Sequence, residues 1–440
     1  MAEVIIVGGG LAGLAAAAAL GGEGHRVTVF ESRPFLGGRA TSFPLSSPGH
    51  DCEIIDNCQH TLLRCCVNLL DLYKRLGVME HIRFHREFYY IEPGGRTSVF
   101  RAGALPAPFH FTSAFRRLHF LGFREKLAVA RGLLALRRES NRPGLGDMTM
   151  SDWLREKDQP PRAIDRFWRP VLGSALNEEL DRVAAAHAFF VFRLGFLARH
   201  DNYEMGVPAV PLGDLFGPQV WPRLGNVEIR LQSRVERICV QQGRATSVLV
   251  DGVAQRADCF ISALPFERVT PVVPELGLDV SSLEHSPITG IHLWFDRSVT
   301  DLPHAVLLDR TIHWMFNKSG GRYLLLVVSA SRDLLGMSRA DVIALAVKEL
   351  AEFFPAVRTA AVEKAHVVKE VRATFSARPG IESHRPPAKT AIPNLFLAGD
   401  WTRSGWPATM EGAVRSGYLA AEALTIGLGA PKQFVLPDLV

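Results

Sequence analysis

Two hydrophobic periods alternate along the start of the chain. Val4-Ile5-Ile6-Val7 is a continuous apolar run of strand length, and Gly8-Gly9-Gly10-Leu11-Ala12-Gly13 interrupts it. An alanine-rich stretch to Leu20 then reads as a buried helix, and Val27-Thr28-Val29-Phe30 as a second strand closed by Glu31. Leu62, Leu63, Leu69, Leu70, Leu72, Tyr73 and Leu76 predict a further helix stopped by Gly77. Phe88 to Glu92, Pro93-Gly94-Gly95 and Thr97 to Phe100 predict a hairpin.

From about residue 105 the pattern becomes aromatic and basic. Phe109, Phe111, Phe115, Leu118, Phe120, Leu121 and Phe123 interleave with Arg116, Arg117, Arg124, Lys126, Arg131, Arg137 and Arg138. Such basic amphipathic helices either lie in a membrane interface or expose a solvated charged face. A second helical block, rich in Phe, Trp and Arg, is expected from Trp153 to Phe196. Strands return at 227–230, 234–238, 247–250 and 257–263, then at 291–295 and 323–328, with an amphipathic helix over 340–354. Asn394 to Ala398 is a buried-type strand leading into Gly399-Asp400. The expected organisation is a discontinuous nucleotide domain, 1–84, 221–266 and 386–430, interrupted by substrate-domain segments 85–220 and 267–385 and followed by a tail, 431–440.

The first loop carries chemistry. In G-x-G-x-x-G between a strand and a helix, Gly8 turns the chain, Gly10 admits a pyrophosphate and Gly13 packs the helix closely. The helix start, with Leu11 and Ala12 in its first turn, offers unpaired N–H groups to a diphosphate, and Glu31 can accept from a ribose hydroxyl. Glu31-Ser32-Arg33-Pro34-Phe35-Leu36-Gly37-Gly38-Arg39-Ala40 follows, where paired glycines allow close backbone approach and Arg39 can meet a phosphate oxygen. Near the other end, Asp400 suits ribityl hydroxyls. A helix starting near Thr409-Met410-Glu411-Gly412-Ala413 would aim its positive end at an anion such as a reduced flavin.

Composition narrows the class. The 440 residues are 47% hydrophobic and 22% charged, with formal net charge +5, an ordinary folded chain long enough for two or three domains. The mild positive charge is compatible with an anionic membrane surface. No helix-turn-helix, zinc-finger or RNA-binding motif is present, so nucleic acid is not an expected partner. The six cysteines show no metal-ligand spacing; Cys65-Cys66 read as small apolar residues on the predicted helix, and a reduced, cytoplasmic compartment is expected. The apolar N-terminus carries Glu3 and glycines but no basic region, which reads as a nucleotide fold and not a leader.

Taken together, G-x-G-x-x-G, Glu31, Gly37-Gly38-Arg39, Gly399-Asp400 and Thr409-Met410-Glu411-Gly412-Ala413 resemble the flavin-containing amine oxidases and carotenoid-type desaturases. That resemblance implies an α/β fold with a Rossmann-like FAD-binding domain, an inserted α+β substrate domain and a helical subdomain. It also implies that Asn57, Cys58, Gln59 and His60 pass beside the isoalloxazine, and that Val235 meets the adenine end. Within this group, Ile55 to Leu63, Trp168-Arg169-Pro170, Leu176-Asn177 and Ala398 to Glu411 are similar to the hydroxysqualene dehydroxylases, or squalene-associated FAD-dependent desaturases. The implied reaction is reductive removal of the allylic hydroxyl of hydroxysqualene, with His60 as candidate proton donor and an external reductant such as NADPH. A carotenoid desaturase or an amine oxidase on the same scaffold is the alternative. The chain departs from the family pattern at Cys58, where glycine is expected, so a positive φ there would strain the loop.

Overall fold

The computed structural model describes residues 1–47 and 50–440. Its nucleotide half is built on a five-stranded parallel sheet. The strands are β1 (Glu3–Val7), β2 (Arg26–Phe30), β3 (Val227–Arg230), β4 (Cys259–Ser262) and β5 (Leu395–Leu397), in the order β3-β2-β1-β4-β5. Strands from three separated stretches of sequence therefore form one sheet, and ligands of such sheets bind beyond the strands' carboxyl ends, where the order reverses.

Helices α1 (Leu11–Gly22) and α3 (Met410–Gly427) pack on it, and α2 (Val67–Leu76) packs against both. The alanines of α1 are buried all round because the helix lies between the sheet and α3. Gly417 of α3 comes so close to Ala12 that an added Cβ would stand 2.1 Å from its carbonyl oxygen. The helix predicted from Leu62 begins later than expected. Leu62–Leu63 form a short strand paired with Met205–Pro208, Cys66 is the residue before α2, and Gly77 ends the helix in the left-handed region at φ 69°. The heptad-like leucines thus belong to two elements that pack into one core, which periodicity alone does not separate.

The inserted half is a seven-stranded sheet, whose central strands His285–Phe295, Tyr323–Ser329 and Trp314–Ser319 are antiparallel. Period-two alternation gives it two apolar faces. Ile291, Leu293, Phe295 and Leu324 pack beneath helix Arg339–Phe353. Ile288, Trp314, Phe316, Leu325 and Val327 face the helical block, meeting Trp168, Phe189 and Phe192 in a second cluster. The basic stretch forms helices Thr112–Arg117 and Phe123–Arg138. Among the described residues no helix is long and apolar enough to cross a membrane.

Candidate functional site

The nucleotide cradle assembles at the carboxyl ends of β1 and β2. Gly8 leaves β1 with φ +110°, and a Cβ there would stand 2.8 Å from Ala263 O. Gly13 packs against Gly8 O itself, while Gly10 precedes α1 and provides no side-chain cap. The would-be Cβ of Gly10 meets only Gly38 Cα, at 3.9 Å, so glycine leaves open space above the first turn, Leu11 to Gly13. Gly37 N donates to Gly9 O at 2.9 Å, laying the second glycine pair beside the first. Glu31 is buried at the end of β2. Its Oε2 accepts from Gly9 N and its Oε1 from Arg33 N, both at 2.8 Å, with Ser32 Oγ at 3.2 Å. Arg33 reaches Gly38 O at 3.2 Å, Ala40 N bonds Gly37 O, and Val235 opens the strand Val235–Gln241. An open space bounded by glycine backbone, a helix start and a buried acid suits a dinucleotide pyrophosphate and ribose.

The second half of the site joins residues distant in sequence. Arg39 and Asp400, expected to serve phosphate and ribityl groups separately, pair with each other, and Arg39 Nη1 also donates to Ala373 O at 3.1 Å. Asn57 braces the same loop: its Nδ2 donates to Arg39 O at 2.9 Å and its backbone N to Thr41 O. Cys58 is buried with no positive φ, so the expected strain is absent. The room comes from Gly290 on the facing strand, where a Cβ would stand 3.1 Å from Asn57 O and 3.7 Å from Cys58 Sγ. Burial pushes the Cys58 thiol up to about 12.

His60 lies on the same loop, two residues after Cys58. Its Nδ1 lies 3.1 Å from Cys58 O, an acceptor only, so Nδ1 carries the hydrogen. Burial lowers its pKa, against the opposing pull of Asp56 and of the Cys58 and Arg39 carbonyls. The Cys58 contact ties the ring to the loop it belongs to.

Glu411 lies in the first turn of α3. Thr409 caps α3 by accepting from Gly412 N at 3.0 Å, with Met410 and Ala413 in the first turn. The Glu411 side chain is fully buried and points into α2. Its Oε1 accepts from Asn68 N at 3.1 Å and Asn68 Nδ2 at 2.7 Å, and its Oε2 from Leu69 N at 2.7 Å. Cys66 offers α2 no side-chain cap, so a glutamate from the far end of the chain supplies one. Burial raises this carboxyl to about 7 despite the three donors.

Lys318 was not singled out by the sequence. It follows Trp314 and Phe316 on the inward face of its strand, and its Nζ reaches Asp56 Oδ2 at 3.4 Å and Gln59 Oε1 at 3.2 Å. Asp56 is otherwise held by Ser42 Oγ and Leu212 N. Tyr323 stacks on Trp294 nearby (centroids 4.3 Å apart, 8° between planes) and binds His292 Nδ1 at 2.7 Å. A lysine continuing the alternate phase of Trp314 and Phe316 was the available signal. Toward the helical block the same face becomes largely apolar, and Cys58 belongs to that cluster.

A family model described as flavin containing amine oxidoreductase matches residues 11–425. The chain is 27% identical to a 15-cis-phytoene desaturase of Solanum lycopersicum, over 96% of this chain and 77% of that one. It is also 27% identical to the 15-cis-phytoene desaturase of Synechococcus elongatus, over 96% and 95%. Among solved structures, an oxidoreductase from Methanosarcina mazei superposes with TM-score 0.71 at 20% identity, over 94% and 98% of the two chains. A redesigned putrescine oxidase superposes with TM-score 0.72 at 17% identity, over 97% and 98%. These superpositions bear on the fold.

Proposed function

The chain belongs to the flavin-containing amine oxidoreductases and its cofactor is FAD; on that premise we propose that it removes the allylic hydroxyl of hydroxysqualene reductively, giving squalene. The observation that carries this reading is the largely apolar cluster that includes Cys58, beside the cofactor loop, and Phe316, Trp168 and Phe192. A hydrocarbon chain needs such a dry wall, and a polyamine does not.

FAD would be held by the backbone of Gly8 to Gly13, by Glu31, by the Gly37 to Ala40 loop and by the start of α3, and when bound it supplies hydride chemistry. In the net reaction the C–O bond breaks, a C–H bond forms with the hydride, and the hydroxyl takes a proton and leaves as water. The protein excludes water and presents aromatic faces, which favour positive charge developing on the allylic carbons. An external reductant, with NADPH as one candidate, must renew the reduced cofactor.

Access from a lipid surface fits this substrate. Helix Phe123–Arg138 exposes Phe123, Leu127 and Leu134, with Arg124, Arg131 and Arg138 alongside, and Leu105 and Phe109 earlier in the same stretch are exposed too. An interfacial helix combines these features. A cytoplasmic enzyme peripheral to the membrane is the corresponding localisation.

A second reading, desaturation of a phytoene-type polyene, is favoured by the named relatives at 27% identity. Product analysis separates the two. FAD-loaded protein supplied with dithionite and hydroxysqualene is expected to yield squalene. Absence of squalene, together with desaturated products from phytoene, would select the second reading.

A further inference from the structure

Residues 431–440 have no regular secondary structure, yet they are tied to several parts of the cofactor side. Phe434 is buried, and the backbone N–H groups of Phe434 and Val435 both donate to Glu422 Oε1 of α3 at 2.8 Å. Leu436 N donates to Asn68 Oδ1 of α2 at 2.8 Å, and Asn202 Nδ2 donates to Leu439 O at 2.9 Å. One tail carboxylate does more than anchor backbone. Asp438 Oδ1 accepts from Trp406 Nε1 at 3.0 Å and from Arg415 Nη1 at 3.2 Å.

Both donors belong to the unit that forms the start of α3. Arg415 also holds Ser404 O through Nε at 2.9 Å. A Cβ on Gly412 would stand 2.5 Å from Pro407 O and 3.5 Å from Trp406 Cβ, so the 404–409 loop lies flat on the first turn of α3. The Trp406 indole meets Phe190 edge to face, with centroids 4.9 Å apart, and packs with Cys65 and Leu194. Asp438 therefore grips the loop on one side of Thr409 and the helix on the other.

We propose that Asp438 is a positioning residue for the cofactor end of α3: by holding Trp406 and Arg415 it fixes the loop that delivers Thr409 as the N-cap, and so aims the first N–H groups of α3 at bound FAD. The inference rests on FAD as cofactor and is independent of which isoprenoid is the substrate. An indole N–H shared with a guanidinium on one carboxylate is charge-assisted, so its loss weakens the placement more than loss of a neutral bond would.

The test uses the FAD-loaded full chain and three variants: Asp438→Ala, Asp438→Glu and a chain ending at Ala430. The readouts are the rate of FAD release on dilution, the visible circular dichroism of the bound flavin, and the melting temperature after the flavin is removed. Asp438→Ala is expected to release FAD faster, on the order of tenfold, with an altered flavin dichroism. Asp438→Glu is expected to restore both largely, and the shortened chain to match or exceed the alanine variant. A folded Asp438→Ala protein with wild-type release and dichroism would overturn the proposal. So would a lowered melting temperature with the flavin signature unchanged, which marks mere support of the fold. If the shortened chain fails to fold, the alanine and glutamate variants alone decide.

Discussion

Replacing Glu411 by glutamine isolates the most heavily buried carboxyl near the site. In the wild type its folded-state pKa rises from 4.5 to about 7, chiefly because burial disfavours the charge. The unfolded chain releases this proton near the ordinary value, so between pH 4.5 and 7 the native state binds the extra proton. Stability therefore falls as pH rises through that window, by ~3 kcal/mol at about 1.4 kcal/mol per pH unit. Glutamine cannot titrate, so this fall disappears. It keeps an oxygen for Asn68 but turns an NH₂ toward Leu69 N, which costs about 1–3 kcal/mol at every pH. Urea unfolding of both proteins between pH 4.5 and 8 tests this. The wild-type advantage should be largest near pH 4.5 and shrink by ~3 kcal/mol toward pH 8. Parallel curves, or an advantage that grows with pH, would refute the reasoning, because they mean the three N–H donors balance or outweigh burial.

Three further perturbations probe the site and its surroundings. Gly290→Ala places a methyl 3.1 Å from Asn57 O, which should cost about 1–3 kcal/mol and speed FAD release; a wild-type melting curve and release rate would show that the loop is not seated on this strand. With its thiol pushed up to about 12, native Cys58 should resist iodoacetamide at pH 7.5 while exposed Cys52 is labelled, as followed by mass spectrometry; equal labelling would contradict the buried placement. Arg116, Arg117 and Arg124 changed together to Glu should weaken sedimentation with phosphatidylserine liposomes by ~100-fold or more, at about 1 kcal/mol per charge. Unchanged binding would remove the lipid-facing assignment.

What the sequence made legible was local. Gly8 to Gly13 with Val4 to Val7 and Glu31 specify a strand, a turn, a helix and an acid within one short stretch, and the fold keeps each in that role. The order β3-β2-β1-β4-β5 was not legible, because parallel neighbours are set by crossovers that leave no mark in either strand. Glu411 illustrates the same limit at the level of one side chain. A motif beside a cofactor invites a cofactor role, whereas its donors lie on a helix more than 340 residues earlier. The Cys58 question likewise has its answer in Gly290, across a sheet. Leu62 and Leu63 carry helical spacing but pair with Met205–Pro208, since tertiary pairing overrides a short periodic run.

The direction of electron flow tests the central claim most directly. The FAD-loaded protein is reduced anaerobically, freed of excess reductant and mixed with hydroxysqualene in detergent or liposomes, while the flavin absorbance near 450 nm is followed on the order of seconds to minutes. Reductive dehydroxylation predicts that the oxidised flavin band returns, with one squalene formed per flavin reoxidised. A flavin that stays reduced with hydroxysqualene, while the oxidised protein is bleached by phytoene, would contradict it.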